Sequence, residues 1–260
     1  MERLYDLNFE LSNEDRFSIL YMLVERPMKL TGLSKEMGVT HQQCTRHLNR
    51  LVKTGLVVKD SEGFYCLAPY GELTLRQYRG QLFTAKHRDY FNKHMLTGIP
   101  DSFVSRLGEL SNSTYIDDVM VVFRNIERLF MEAEEYVWRI TDSYLLMVVP
   151  SCVAATEKGV ELRLIEPKNI AYPPDGDERD FFEKAWRKGL FLNRILEKVD
   201  VFLAMSEREV ATISFPTLDG RFDYHGFTST DDQMREWCSD LFKYYWGKAE
   251  PRRDFAKRAS

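Results

Sequence analysis

The sequence predicts an α+β winged helix-turn-helix joined by a helical linker to an α/β domain. Three observations carry this: a helix, turn, helix and hairpin grammar before residue 70, an apolar-striped helical stretch from Tyr70 to Met95, and alternating strand and helix patterns from Asp117 to Trp246. The expected organisation is a winged helix-turn-helix over 1–69, a helical linker and possible dimerisation segment over 70–100, an α/β regulatory domain over 101–250, and a polar tail over 251–260. At 260 residues and 44% hydrophobic content, the chain can bury a core in each of two domains.

In the first domain, Phe17, Leu20, Tyr21 and Val24 recur at helical spacing, and Leu30, Leu33 and Met37 do so again before a Gly38-Val39 turn. Thr40 and Gln43 then have the spacing of a capping box, which satisfies two backbone donors at a helix start. Cys44, Leu48, Leu51 and Val52 follow at i, i+4, i+7 and i+8, an apolar stripe that ends at Gly55. The runs LVVK and FYCL flank Asp60-Ser61-Glu62-Gly63, a short hairpin signal for the wing.

The third helix is where the charge pattern changes. From Thr40 to Lys59 the chain holds Arg46, Arg50, Lys53 and Lys59 and no acid, although the whole chain has a formal charge of −4. Its free face carries Thr40, His41, Gln42, Gln43, Thr45, Arg46, Asn49, Arg50 and Lys53. Gln, Asn and Arg can make paired hydrogen bonds to purine edges in a major groove, and Thr, Lys and Arg can hold phosphates, so these residues are the expected DNA contacts. The alternative is an interaction module of the same fold with a solvated basic face. Nine basic residues balance nine acidic ones over Met1 to Pro69, so the nucleic-acid reading rests on this helix alone. Asp60 and Glu62 at the wing tip would repel phosphates, which leaves the helix as the expected reader.

Other classes are disfavoured. No apolar run approaches the roughly 20 residues needed to cross a bilayer, and MERLYDLNFE is too charged for a secretion signal, so a cytoplasmic location is expected. Cys44, Cys66, Cys152 and Cys238 form no C-x-x-C pair, and neither a structural zinc nor a disulfide is expected. His41, Cys44 and His47 crowd one stretch of the third helix, but Cys44 belongs to the apolar face and His41 does not, so no metal site is expected there. Asn112-Ser113-Thr114 has the form of a glycosylation acceptor, which a cytoplasmic chain would not use. No cofactor is expected.

In the linker, Leu75, Tyr78 and Leu82 form a stripe that can serve a homodimer or pack within the chain. Gly98-Ile99-Pro100 ends the stretch. Helices are expected over Asp117–Ala133, Tyr144–Lys158 with an irregularity at Pro150, Phe181–Glu197 and Asp231–Trp246. Strands are expected over Tyr136–Thr141, Val160–Glu166, Val199–Met205, Val210–Phe215 and Phe222–Phe227, with a flexible loop over Tyr172–Asp177. Strands separated by helices predict parallel pairs. Arg139 and Arg163 interrupt two otherwise apolar strands, where a guanidinium is costly unless paired or facing a polar cavity. One reading is a structural ion pair with Glu161 or Glu166. The other is a pocket for a small anionic effector, with both arginines on the face opposite Trp138 and Leu162, and with Asp142, Glu166 and Lys168 near the ends of the same strands.

HRDYFNKHMLTGIP, RLGELSNS, EEYVWRITD, KGVELRLIEP and GFTSTDDQMREWCSDLFKYYW, taken in this order, resemble archaeal winged-helix regulators with the Fil-type methanogenesis regulatory middle domain, a group that includes regulators of methanol-specific methyltransferase genes. The resemblance implies a transcriptional regulator whose second domain has a phospholipase D-like sheet. Phospholipase D chemistry needs a His nucleophile with a Lys two residues on to clamp the phosphate. His41, His47, His87, His94 and His225 are followed at that spacing by Gln43, Asn49, Asp89, Leu96 and Phe227, and Val199 to Glu207 holds neither His nor Lys. The expectation is therefore a regulator gated by a small molecule or protein signal, not an enzyme. The alternative is a phospholipase D-like hydrolase with an unusual site.

Overall fold

A computed structural model of the protein describes residues 2–170 and 184–252. The chain forms two compact units that divide between Arg79 and Gly80. The expected Tyr172–Asp177 loop, the start of the Phe181–Glu197 helix and most of the 251–260 tail lie outside the described residues.

The first unit begins with α1 (Glu2–Leu11) and α2 (Glu14–Glu25), the latter capped by the Asn13 side chain, which accepts from the Arg16 amide at 3.1 Å. The short β1 (Met28–Lys29) leads into α3 (Leu30–Met37), which stops at Gly38 with φ +67°. Then come α4 (His41–Lys53), β2 (Val57–Lys59) and β3 (Phe64–Leu67), with the antiparallel strand order β1-β3-β2. Leu11, Ile19, Leu20, Leu33, Leu48 and Leu51 meet in one core. Three positions depart from the expected stripes: Tyr21 and Val24 on α2 are exposed, and so is Val52 on α4, because α2 buries the neighbouring face carrying Ile19, Leu20 and Leu23 and α4 buries Cys44, His47, Leu48 and Leu51.

The next helix, α5 (Pro69–Lys86), starts inside this unit. Leu75 is buried in its core and Tyr78 packs against it, so this part of the linker stripe is occupied by the chain itself. Gly71 permits the approach: a Cβ there would lie 2.1 Å from the Leu56 carbonyl oxygen, which accepts the Ala68 amide at 3.0 Å. The long helix expected to Met95 instead breaks at His87, before the short α6 (Arg88–Phe91) and α7 (Asp101–Val104).

The second unit is built on an eight-stranded mixed sheet. Its strands are β4 (Thr114–Ile116), β5 (Tyr136–Ile140), β6 (Glu161–Pro167), β7 (Phe191–Leu196), β8 (Phe202–Ser206), β9 (Val210–Ser214), β10 (Gly226–Ser229) and β11 (Glu250–Pro251), in the order β11-β7-β6-β5-β8-β9-β10-β4. The pairs β5·β6 and β6·β7 are parallel, as expected from intervening helices, and the other pairs are antiparallel. The segment 191–196, expected to continue a helix, is a strand: Gly189 at φ +73° ends the preceding turn, and Phe191 and Asn193 then point to one face while Leu192 and Arg194 take the other. The expected 222–227 strand is reduced to β10, since Tyr224 has φ +63°, outside strand geometry.

Helices cover both faces. On one, α8 (Val119–Glu132) and α9 (Val149–Glu157) bury Ile126, Leu129 and Phe130 against Val137, Leu162 and Phe202. On the other, α10 (Asp232–Lys248) buries Trp237, Leu241 and Phe242 against Trp138, Ile165 and Leu203. Pro150 sits in the first turn of α9, after a separate 3-10 turn over Leu146–Val148, so it opens a helix and does not bend one. No helix among the described residues is long and apolar enough to cross a membrane.

Candidate functional site

The capping box of α4 forms as the spacing requires: Thr40 Oγ1 accepts from the Gln43 amide at 3.3 Å, and Gln43 Oε1 accepts from the Thr40 amide at 3.0 Å. Both side chains are thereby engaged in the helix start. Thr45 Oγ1 donates to the His41 carbonyl at 2.7 Å. His41, Gln42, Arg46, Asn49 and Lys53 are exposed, and Arg46 and Lys53 are held in no ion pair among the described residues. With the apolar side anchored by Cys44, Leu48 and Leu51, these five side chains form the outward face. At the wing, Asp60 Oδ1 accepts from the Glu62 and Phe64 amides at 2.9 and 2.8 Å, so this acid closes the hairpin.

Arg50 is placed differently from the rest. Its Nε and Nη2 donate to Glu10 of α1, the Nη2 bond at 2.6 Å, and Glu10 also receives Arg16 Nε at 2.6 Å. Glu10 and Arg16 are buried, and the Phe9 ring lies under both guanidiniums at 5.0 and 5.4 Å. Burial alone would raise the Glu10 carboxyl. The Arg50 hydrogen bond and the Arg16 and Arg50 charges outweigh it and hold the carboxyl below its ordinary value. His47 is also buried, with Nε2 3.3 Å from Asp15, and burial pulls its imidazole down. Glu10, Arg16 and His47 were not anticipated from sequence. The available signal was the run Leu4, Leu7, Leu11 at helical spacing before Ser12-Asn13, which marks α1 as a helix able to place Glu10.

In the second unit the two strand arginines part. The β5·β6 register sets Trp138 beside Arg163 and Arg139 beside Leu164, so the arginines occupy opposite faces of the sheet, not one face as expected. Arg163 Nε is 2.8 Å from Glu161, and the guanidinium lies over Trp138 and Trp246 at 5.4 and 5.6 Å. This is the structural ion pair that the sequence offered as one of two readings. Arg139, 7% exposed, faces α8 and α9, with its guanidinium over Phe130 at 5.8 Å. Burial pulls its pKa down, against the opposing influence of Cys152 and Glu166.

Arg139 borders a cavity of about 50 Å³ at the carboxyl ends of β5 and β6, with Thr141, Ser143, Cys152 and Glu166 in the same wall. Glu166 accepts from Asn193 Nδ2 at 2.8 Å and ion-pairs with Arg252. Asp142 is half-buried beside it; burial raises its carboxyl, which accepts from the Tyr224 hydroxyl at 3.2 Å and from Ser143 at 3.3 Å. Lys168 stands apart, exposed and paired with Glu197 at 2.9 Å. Of the five anticipated ligand residues, Arg139, Arg163 and Glu166 border this cavity, Arg163 with its guanidinium paired to Glu161, and Asp142 is adjacent. Among the described residues no group of three His, Cys, Asp or Glu side chains converges as metal ligands would.

Comparison with known proteins adds the following. Residues 123–248 match the family described as the methanogenesis regulatory protein FilR1, middle domain, and residues 9–63 match the MarR family. Among solved structures, the chain is similar to TrmBL2, an archaeal chromatin protein with a novel mode of DNA binding, at 15% identity over 92% of this chain and 94% of that one, with a TM-score of 0.45. It is also similar to Nuc, a phospholipase D family member from Salmonella typhimurium, at 9% identity over 49% of this chain and 88% of that one, with a TM-score of 0.36. No curated protein matches the chain. Residues 9–63 hold most of the winged helix of the first unit and residues 123–248 most of the sheet of the second, so the chain pairs a region similar to the MarR family with one similar to the FilR1 middle domain, the composition of a DNA-binding transcriptional regulator.

Proposed function

We propose that the protein reads double-stranded DNA with the outward face of α4, as a homodimer in the cytoplasm, and that its second domain gates this reading in response to a small molecule or protein signal. The observation that carries the DNA contact is a capped, apolar-backed helix whose exposed His41, Gln42, Arg46, Asn49 and Lys53 combine base-reading and phosphate-holding groups. Arg50 enters this account as a residue shared with α1, since Glu10 already holds it. Thr40 and Gln43 act by fixing the helix start. The α/β domain is a phospholipase D-like sheet put to regulatory use, because the His and Lys spacing of that chemistry is missing from the sequence.

The dimer reading is supported by apolar side chains left at the surface of the first unit: Leu4, Tyr5 and Phe9 on α1, and Tyr70 and Leu73 on α5. They replace Leu75 and Tyr78 as the residues available to a second copy. Paired readers suit two-fold DNA sites, where the second half-site binds in an effectively intramolecular step. The test is binding of the full chain to DNA from upstream of its own gene, against scrambled DNA, over a salt series. Preference for the upstream DNA is expected. Equal affinity for both, with turnover of a phosphodiester reporter, would replace this reading with the hydrolase.

A further inference from the structure

We infer that the cavity beside Arg139 binds a small carboxylate with a short apolar body, held by the Nε and Nη2 edge of that guanidinium. This deepens the sensing role proposed above and rests on that role for its consequence at DNA. Arg139 is the one charged side chain drawn from the middle of β5 toward α8 and α9, and its Nε and Nη2 are buried with no oxygen or nitrogen acceptor among the described residues, only the Cys152 thiol lying beside the guanidinium. A buried donor without an acceptor is costly, and a buried guanidinium more so. Those two nitrogens lie along one edge of the planar group, the edge that meets both oxygens of a carboxylate in parallel hydrogen bonds. The same protein shows the pairing elsewhere, where Arg50 uses Nε and Nη2 on the Glu10 carboxylate.

Charge and size select the ligand class. Glu166 and Arg163 border the same cavity, but Glu166 is ion-paired with Arg252 and hydrogen-bonded by Asn193, and Arg163 is ion-paired with Glu161, so Arg139 supplies a formal excess of one positive charge. The Cys152 thiol, pushed up to about 11 by burial, stays neutral. A monoanion balances this sum, while a phosphate dianion would bury one uncompensated charge. Phe130, Val137, Val148 and Phe191 make the remaining wall largely apolar, and about 50 Å³ limits the ligand to a short chain. The cavity lies on the helix-covered face of β5 and β6 and reaches their carboxyl ends at Thr141 and Glu166, the end at which open α/β sheets place ligands.

The test uses the full chain with acetate, propionate and butyrate as probes, their neutral amides as matched controls, and inorganic phosphate as the competing anion, read by calorimetry and thermal shift. A carboxylate is expected to bind and its amide to fail. Arg139→Met, which replaces a buried charge by an apolar chain of similar length, should stay folded and weaken carboxylate binding by about tenfold or more. Arg235→Met, on α10 and outside the cavity wall, should bind as the wild type does. The inference is overturned if no carboxylate binds the wild type, if Arg139→Met binds equally well, or if phosphate alone binds. Operator affinity measured with and without saturating carboxylate separates the two readings. Carboxylate binding without any change at DNA removes the gating role and leaves the site, and operator binding with no carboxylate binding removes the site alone.

Discussion

Arg50 on α4 and Glu10 on α1 form a two-nitrogen ion pair, with Arg50 Nη2 2.6 Å from the buried carboxylate. Because the same carboxylate holds the buried Arg16, it fixes α1, α2 and α4 to one another through a single group. The placement of α4, the helix proposed to read DNA, therefore depends on Glu10 of α1.

Replacing that group has a large expected effect. Glu10→Ala leaves Arg16 buried without its counter-charge, a change that costs about 3 kcal/mol in comparable pairs. Urea denaturation of the full chain should show an early transition shifted to lower denaturant. An unshifted transition would mean that the pair is dispensable.

Acid should act through the same residue. The folded Glu10 carboxyl lies below its ordinary value of 4.5, so the unfolded chain takes up the proton first as pH falls. Its contribution is full above about pH 4.5 and is lost as pH drops through the lowered folded value. His47 works in the same direction from higher pH, since burial holds its imidazole below 6.5 and the unfolded state protonates first. Thermal melts from pH 7 to pH 3 should fall in both windows, and Glu10→Gln should flatten the lower one. A lower window unchanged in that variant would assign the acid loss to other carboxyls.

Gly71 offers a packing test. A methyl group placed 2.1 Å from the Leu56 carbonyl must push α5 away from the turn after α4, so Gly71→Ala should destabilise by roughly 1–3 kcal/mol despite alanine's better helix propensity. Chemical denaturation reads this directly, and a stabilised variant would contradict the close approach.

Arg163 is expected to be structural. Arg163→Leu removes an ion pair with Glu161 and two ring contacts, a loss of about 1 kcal/mol, with operator affinity unchanged. A variant of wild-type stability and altered DNA binding would return Arg163 to the functional site.

Much of the first unit was legible because its signals are local. The Thr40-Gln43 box, the Gly38 stop and the Asp60–Gly63 hairpin each involve neighbours within a few residues. What escaped was set by distant partners. Val52 lies on the apolar arc of α4 yet is exposed, because only a narrower arc meets the core. Arg50 looks free until α1 brings Glu10 to it across 40 residues of sequence. The strand 191–196 was hidden by helix-like composition, with Gly189 the overlooked break. The faces of Arg139 and Arg163 follow from the β5·β6 register, which neither strand specifies alone.

The most direct test of the central claim is the affinity of Arg46→Ala for upstream DNA, measured over a salt series beside the wild type. Arg46 is exposed on the outward face of α4 and is held in no ion pair among the described residues, so its loss should leave folding intact. If α4 reads DNA, the variant should lose about 1–3 kcal/mol of discrimination between upstream and scrambled DNA. Wild-type affinity, discrimination and salt dependence in a folded Arg46→Ala protein would contradict the assignment of α4 as the reader.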